Sequence, residues 1–273
     1  MKNKILLAVL FLFITAAVYK ACKDIKPDVV AEPDMPAPIN VNTKVISYSI
    51  IAQYPHDTAT FTQGLEFYNG KLYESGGDFK NSVLRFGDVK TGIAEKKNMM
   101  GSDKTFAEGI TILNGKLYQL TWQSHEVFVY DVNNITKPIQ QFTWALDGYG
   151  ITNNGADLLV TTGDTKLYTV DPLTFKVKTS VEIHDINEPV KEVNELEYVD
   201  GFVWGNIWQT NDIIKINPTT GEIVGKMNFN NLLDAKDYTQ STNVLNGIAY
   251  NKDSKTFFIT GKRWPKMFEV RVN

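Results

Sequence analysis

From about Lys44 to the C-terminus, apolar and polar residues alternate with a period of two. Turn signals interrupt the alternation about every 8–12 residues, as at YNGK (Tyr68–Lys71), LNGK (Leu113–Lys116) and PTTGE (Pro218–Glu222). No long stretch sustains a helical period, so the pattern predicts an all-β domain built of many short strands. The pattern also recurs. FTQGLEFYNGKLY, FAEGITILNGKLY, GYGITNNGADLL, VNELEYVDGFVW and LNGIAYNKDSKTFF share one unit: a short apolar strand, a turn with Asn, Gly or Asp, and a second strand rich in aromatics. The residue before the unit's Gly (or before Glu195 in the fourth) is Gln63, Glu108, Tyr149, Asn194 and Asn246, at steps of 45, 41, 45 and 52 residues. Such steps match the roughly 40–50-residue period of propeller blades, which favours a five-bladed β-propeller over a sandwich or barrel.

Each unit supplies about four strands. The first is expected just after the equivalent position (Leu65–Tyr68, Ile110–Leu113) and the second after the turn (Lys71–Ser75, Lys116–Thr121). A third ends at an Asp-rich turn, as in VFVYDVN and KLYTVDP, and a fourth follows, as in Phe175–Ile183. The fifth unit runs out after three strands, at MFEVRVN. Its missing strand is available in VISYSIIAQY, residues 45–54, and pairing the two ends closes the ring without leaving an open central edge. NFNNLLDAKDYTQST, ahead of the fifth unit, is expected to be a loop or a short helix, and IHDINEPVKE is a smaller insertion before the fourth.

The chain has 273 residues, 43% hydrophobic and 12% aromatic, enough to bury a core. Its net charge is −3 with no basic stripe, which argues against nucleic acid as a partner. The first residues are for targeting. Lys2 and Lys4 precede an apolar run, Ile5–Val18, in the layout of a secretory signal; the run is short of the ~20 residues of a spanning helix, unless its neighbours extend it into an uncleaved anchor. Cys22 is the sole cysteine, so neither an internal disulfide nor a cysteine zinc cluster is available. Two readings of it stand: lipidation after cleavage between Ala21 and Cys22, or a chance cysteine in a tethering segment. Tyr19 and Lys20 depart from the usual lipoprotein signal, while the position and the linker after it favour lipidation. That linker holds four of the ten prolines, Pro27, Pro33, Pro36 and Pro38. The expected organisation is therefore a signal segment at 1–22, a linker at 23–43 and the propeller at 44–273. The protein is expected to be exported, facing the periplasm or the exterior, and to meet a membrane only through its N-terminal segment or lipid. A closed propeller has no obligate need of a partner, and a monomer is expected.

Equivalent blade positions face a common axis, and among the five axial residues only Glu108 is acidic. Four residues beyond Tyr73, Tyr118, Leu159, Trp204 and Phe258 lies a second ring: Gly77, Trp122, Gly163, Trp208 and Lys262. Phe61 and Phe106 precede their axial residues by two and face the same way in a strand. Glu108 is thus expected among Phe61, Phe106, Trp122 and Trp208, whose apolar surfaces raise a carboxyl pKa and suit it to proton transfer. The residues leave a second reading open, in which Glu108 and Lys262 form a structural bridge across the channel. Glu195 alternates to the opposite face if its strand is regular, and no second carboxylate is then expected at the axis. His56, His125 and His184 share no repeat register, so neither a metal site nor a catalytic triad is expected, and no cofactor motif appears. Asp88, Asp131, Asp171 and Asn217 recur before blade turns and read as turn caps rather than calcium ligands.

With these motifs in order (FTQGLEF, FAEGIT, KLYQLTW, VNELEYVDGFVWGNIWQT, LNGIAY, TGKRWPKMFEV), the chain resembles the plant and bacterial type of glutaminyl-peptide cyclotransferase over Val45–Asn273. That family consists of five-bladed propellers unrelated to the zinc-dependent animal enzymes. The resemblance implies Glu108 as the essential acid, with Asn194 and Lys262 beside it. It places Phe61, Gln63, Phe106, Trp122 and Trp208 in the substrate pocket. Where the family commonly has Trp between two glycines this chain has Tyr149, a smaller ring with a hydroxyl, which bears on substrate preference. The implied reaction closes an N-terminal glutamine of a peptide or protein to pyroglutamate with loss of ammonia, and it needs no metal or other cofactor. The competing reading is a tethered, non-catalytic propeller that captures peptides or glycans in the same aromatic pocket.

Overall fold

The computed structural model describes residues 43–186 and 188–273; the segment expected to be a signal, with Cys22, and the expected linker up to residue 42 lie outside the described residues. Twenty strands form five four-stranded antiparallel sheets. Blade one contains β2 (Thr62–Tyr68), β3 (Lys71–Gly76), β4 (Val83–Gly87) and β5 (Ala94–Met99), and blade two β6 (Phe106–Leu113), β7 (Lys116–Trp122), β8 (Glu126–Asp131) and β9 (Gln140–Thr143). Blade three contains β10 (Ile151–Asn153), β11 (Leu158–Val160), β12 (Lys166–Val170) and β13 (Val177–Glu182). Blade four contains β14 (Val193–Val199), β15 (Phe202–Ile207), β16 (Asp212–Ile216) and β17 (Ile223–Asn228). Blade five is composite: β18 (Leu245–Asn251), β19 (Thr256–Gly261) and β20 (Lys266–Val272) come from the C-terminus, and β1 (Tyr48–Pro55) completes it by pairing with β20. The ends of the domain therefore share a blade, as the sequence predicts. The insertion before blade five holds a single 3-10 turn, Ala235–Asp237.

Local chemistry explains the hairpins. The two-residue turns Asn69-Gly70, Asn114-Gly115 and Asp200-Gly201 have positive φ at both residues (48° and 74°, 51° and 74°, 50° and 85°). This turn type matches the twist of the flanking strands and favours Asn, Asp and Gly. Further out, Asp88, Asp131, Asp171 and Asn217 each accept a backbone N–H two residues on, so all four are turn caps.

Five apolar clusters fill the five clefts between neighbouring blades. Leu84 with Leu117, Leu120 with Leu158, Leu159 with Leu196, Trp204 with Phe257, and Leu65 with Phe258 exemplify them in order round the ring. Burying each such side chain contributes roughly 1.5–3 kcal/mol, so the ring is held by blade-to-blade packing, with backbone ladders inside each blade. The inner strands β2, β6, β10, β14 and β18 contact one another in sequence around the axis. Antiparallel pairing sets the start of each inner strand beside the end of the next: Thr62 faces Gly76, and Phe106 faces Trp122. Both residue rings read from the repeat thus collect at one end of the channel.

Candidate active site

Four inner strands are irregular where they reach the axis. Register shifts fall between Thr62 and Gly64, Ala107 and Ile110, Val193 and Leu196, and Leu245 and Ile248. Gln63, Glu108, Asn194 and Asn246 therefore lie inside their strands, at bulges, and not ahead of them as the repeat suggested. A bulge sets two residues against one on the partner strand and re-aims side chains. The glycine that follows is required by the approach of the next blade. A Cβ on Gly64 would lie 2.5 Å from the Ile110 nitrogen, and one on Gly150 would lie 1.8 Å from the Asn194 carbonyl oxygen.

Blade four breaks this glycine rule, and there the expectation for Glu195 is corrected. Strict alternation would turn Glu195 away from the axis, but the bulge aims both Asn194 and Glu195 inward. Glu195 is buried, and its carboxylate accepts the backbone N–H of Leu65 (3.0 Å) and of Ile248 (2.7 Å), bridging blades one and five across the channel. Burial pushes its carboxyl well above the ordinary range, against the pull of those two hydrogen bonds. Both its oxygens are engaged, so it staples the axis while Glu108 remains the acid with a free oxygen.

Glu108 is 3% exposed. Its Oε1 accepts a hydrogen bond from Gln63 Nε2 at 3.0 Å, and its Oε2 is buried with no hydrogen-bond partner among the described residues. A polar chain fixes the Gln63 amide. Asn246 Nδ2 donates to Gln63 Oε1 (3.1 Å) and to the Thr62 carbonyl (3.0 Å), and lies 3.4 Å from Asn194 Oδ1. With its oxygen held by Asn246, Gln63 must present its NH2 to Glu108. Burial drives the Glu108 carboxyl well above its ordinary pKa; the nearby Lys262 charge works against this, and Asp147 adds to it. Lys262, itself 3% exposed, is lowered to about 8 by burial, with Glu108 opposing. No Glu108–Lys262 contact within ion-pair distance occurs among the described residues, so the structural-bridge reading is not what this geometry supports.

The walls are aromatic. Phe61 meets Phe106 edge-on with centroids 6.1 Å apart, Phe106 meets Trp122 at 5.8 Å, and Lys262 Nζ sits 4.8 Å over the Phe61 ring. The two glycines of the second ring also acquire a reason. A Cβ on Gly77 would fall 2.1 Å from Phe106 Cε1, and one on Gly163 2.7 Å from the Tyr149 ring, so each glycine makes room for an aromatic face. Trp208 is half-buried just past β15, and its backbone N–H donates to the Glu192 carbonyl. Burial, and then the Glu192 and Glu108 charges, push the Tyr149 phenol upward.

The repeat also missed residues. Phe79, 40% exposed, packs against Phe106 (5.4 Å) and Trp122 (6.4 Å), and Arg263 lies 5.7 Å from the Phe61 ring while binding Asp78 at 3.2 Å. Phe79 stands two residues and Arg263 one residue beyond the second ring; Gln123 and Gln209 share the positive φ of Arg263, but side-chain identity past the ring varies from blade to blade, so the repeat did not single these two out. Asn246 was legible as the fifth axial residue, but nothing in its sequence announced that it orients Gln63.

The sequence model of the glutamine cyclotransferase family matches residues 24–272, most of the chain. A glutaminyl-peptide cyclotransferase of Arabidopsis thaliana is 34% identical over 239 residues, covering 86% of this chain and 74% of that protein. The crystal structure of a Myxococcus xanthus glutaminyl cyclase superposes with a TM-score of 0.79 at 32% identity, over 85% of this chain and 98% of that one. The chain belongs to the glutamine cyclotransferase family.

Proposed function

We propose that this member of the glutamine cyclotransferase family converts the N-terminal glutamine of peptides or proteins to pyroglutamate, with Glu108 as the proton carrier. The observation that carries the reading is the state of Glu108: one oxygen fixed by Gln63, the other buried and unpartnered, beside a cation that does not pair with it. A non-catalytic binding propeller would have no use for an acid held in this way, and family membership does not favour it.

The substrate carries its own nucleophile. As the neutral α-amine attacks the side-chain amide carbon, Glu108 Oε2 takes a proton from the attacking nitrogen, and the amide oxygen gathers negative charge. Asn194 and the Lys262 ammonium supply hydrogen bonds to that oxygen. Glu108 then returns the proton to the amide nitrogen, the carbon–nitrogen bond breaks, and ammonia leaves with the five-membered ring closed. A carboxyl raised by burial is suited to both transfers, a role typically worth ~10²–10⁴ in rate. Phe61, Phe106, Trp122, Tyr149 and Trp208 hold the glutamine side chain folded back on its amine and exclude water.

We extend the proposal to location: the apolar run Ile5–Val18 and the Pro-rich segment after Cys22 support an exported, N-terminally tethered enzyme, and a propeller closed by its own two ends has no open central edge that would call for a partner subunit. The test of activity is mass spectrometry of a Gln-initiated peptide after incubation with the protein. Loss of one ammonia is expected, and an unchanged peptide, bound or not, would refute the reading.

A further inference from the structure

Lys262 sits on the turn between β19 and β20, and one buried side chain, just past β1 of the same blade, ties that turn to blade one. His56 Nδ1 lies 2.7 Å from the Trp264 carbonyl oxygen, and its Nε2 lies 2.8 Å from Glu74 Oε1. A carbonyl only accepts, so Nδ1 carries a proton. Glu74 is ionised, its pKa lowered against burial by the charges of His56 and Arg85, so Nε2 donates as well. Burial is the largest single influence and disfavours the imidazolium, as does Arg85, but the charge and hydrogen bond of Glu74 together with the Trp264 carbonyl raise the His56 pKa on balance. The backbone repeats the grip: His56 N–H donates to the Pro265 carbonyl (2.9 Å), and Arg263 N–H donates to that of Thr60 (2.9 Å).

The knot extends behind the imidazole. Glu74 also accepts from Thr62 Oγ1 at 2.8 Å, and its second oxygen lies 3.6 Å from Arg85 Nε. Arg85 reaches Asp57 at 2.6 Å. The side chains of His56, Glu74 and Arg85 are only 4%, 5% and 7% exposed. Burying these charges is costly, and the seam between blades five and one already has its own apolar packing around Leu65 and Phe258, so closure does not require them. What the charges add is direction. The segment from His56 to Gln63 delivers Phe61 and Gln63 to the pocket, and its first residue grips the turn bearing Lys262.

We propose that His56 is a positioning residue for the reaction: through the Trp264 carbonyl it locks the Gly261–Pro265 turn to the segment carrying Phe61 and Gln63, and so fixes where the Lys262 ammonium stands. The proposal rests on the role given to Lys262 above. A displacement of about 1 Å at a group that meets the transition state can cost roughly 100-fold in rate, so a lock of this kind has an effect far larger than its distance from Glu108 suggests.

The test is a double-mutant cycle on the full chain: the parent, His56→Gln, Lys262→Met and both together, with kcat and KM read from ammonia release by a Gln-initiated peptide. Glutamine can reach one of the two imidazole partners but not both. His56→Gln is expected to lower kcat about tenfold with KM changed less than about threefold, and this loss is expected to shrink to less than about twofold in the Lys262→Met background. A loss of equal size in both backgrounds, or a parental kcat in His56→Gln, would overturn the proposal, because a merely structural knot acts independently of Lys262. If His56→Gln does not yield folded protein, Glu74→Gln enters the same cycle, since it withdraws the charge that holds the second imidazole proton, and the same outcomes decide. A parental kcat in Lys262→Met alone would instead sink the role of Lys262, and is read separately.

Discussion

Gly77→Ala should damage the pocket without touching any group that carries charge. The new methyl would sit 2.1 Å from Phe106 Cε1 and 2.7 Å from the Ala107 carbonyl oxygen. The carbonyl belongs to β6 and is fixed by the ladder, so the ring must yield. It has little room, with Phe61, Phe79 and Trp122 at centroid distances of 6.1, 5.4 and 5.8 Å. Overpacking of this kind costs typically about 1–3 kcal/mol, and a chain of this size loses roughly 2–4 °C of Tm per kcal/mol. The expected melting temperature is therefore a few degrees lower. The catalytic effect should be larger, because the ring that moves packs against the glutamine clamp: kcat/KM should fall by about 10- to 100-fold. Gly70→Ala is the control. Its Cβ meets nothing, but its φ of 74° is unfavourable for alanine, so it should lose stability of the order of 1 kcal/mol and keep its activity. Calorimetry and a coupled ammonia assay read both quantities. A Gly77→Ala protein with parental Tm and kcat/KM would refute the claim that glycine is needed there to seat Phe106.

Other consequences follow from the charges. Lys262, at about 8, should impose an alkaline fall on kcat as its ammonium is lost; Lys262→Arg, which keeps its charge, should show a lower rate but no such fall. Glu108 has a raised pKa, so its ionisation opposes folding and parental stability declines as pH rises through the folded value; Glu108→Gln escapes this and should gain Tm relative to the parent at about pH 8 but not at about pH 4, by calorimetry. Tyr149→Phe removes a hydroxyl that makes no hydrogen bond among the described residues, so kcat should stay within about threefold, with any larger change confined to preference among Gln-initiated peptides of different second residue. A tenfold loss of kcat would show that the hydroxyl takes part.

Much of this architecture is legible along the chain because a propeller repeats its chemistry. The Asn-Gly turns, the alternating strands and the five equivalent axial residues all follow from one unit used five times, and the strand missing from the last unit stood at the other end of the chain. The site was legible to the same extent, since Gln63, Glu108 and Asn194 occupy equivalent positions and Trp122 and Lys262 share a register. Glu195 was misplaced because alternation assumes a regular strand, and four inner strands carry a bulge at the axial residue. Asn246 holds Gln63 through a contact 183 residues apart in sequence, and no local pattern encodes such a pairing. Phe79 and Arg263 lie just past the second ring, where the blades carry unlike side chains and the repeat gives no signal. His56 looked like a stray histidine because its partners, Glu74 and the Trp264 carbonyl, come from different blades.

The central claim is that the unpartnered oxygen of Glu108 carries the proton between two nitrogens of the substrate. Its most direct test is ammonia release from a Gln-initiated peptide by Glu108→Gln, a protein of nearly unchanged shape whose fold is verified by circular dichroism and melting. Loss of proton transfer should lower kcat by at least ~10²-fold. A folded Glu108→Gln protein that releases ammonia at the parental rate would contradict the account.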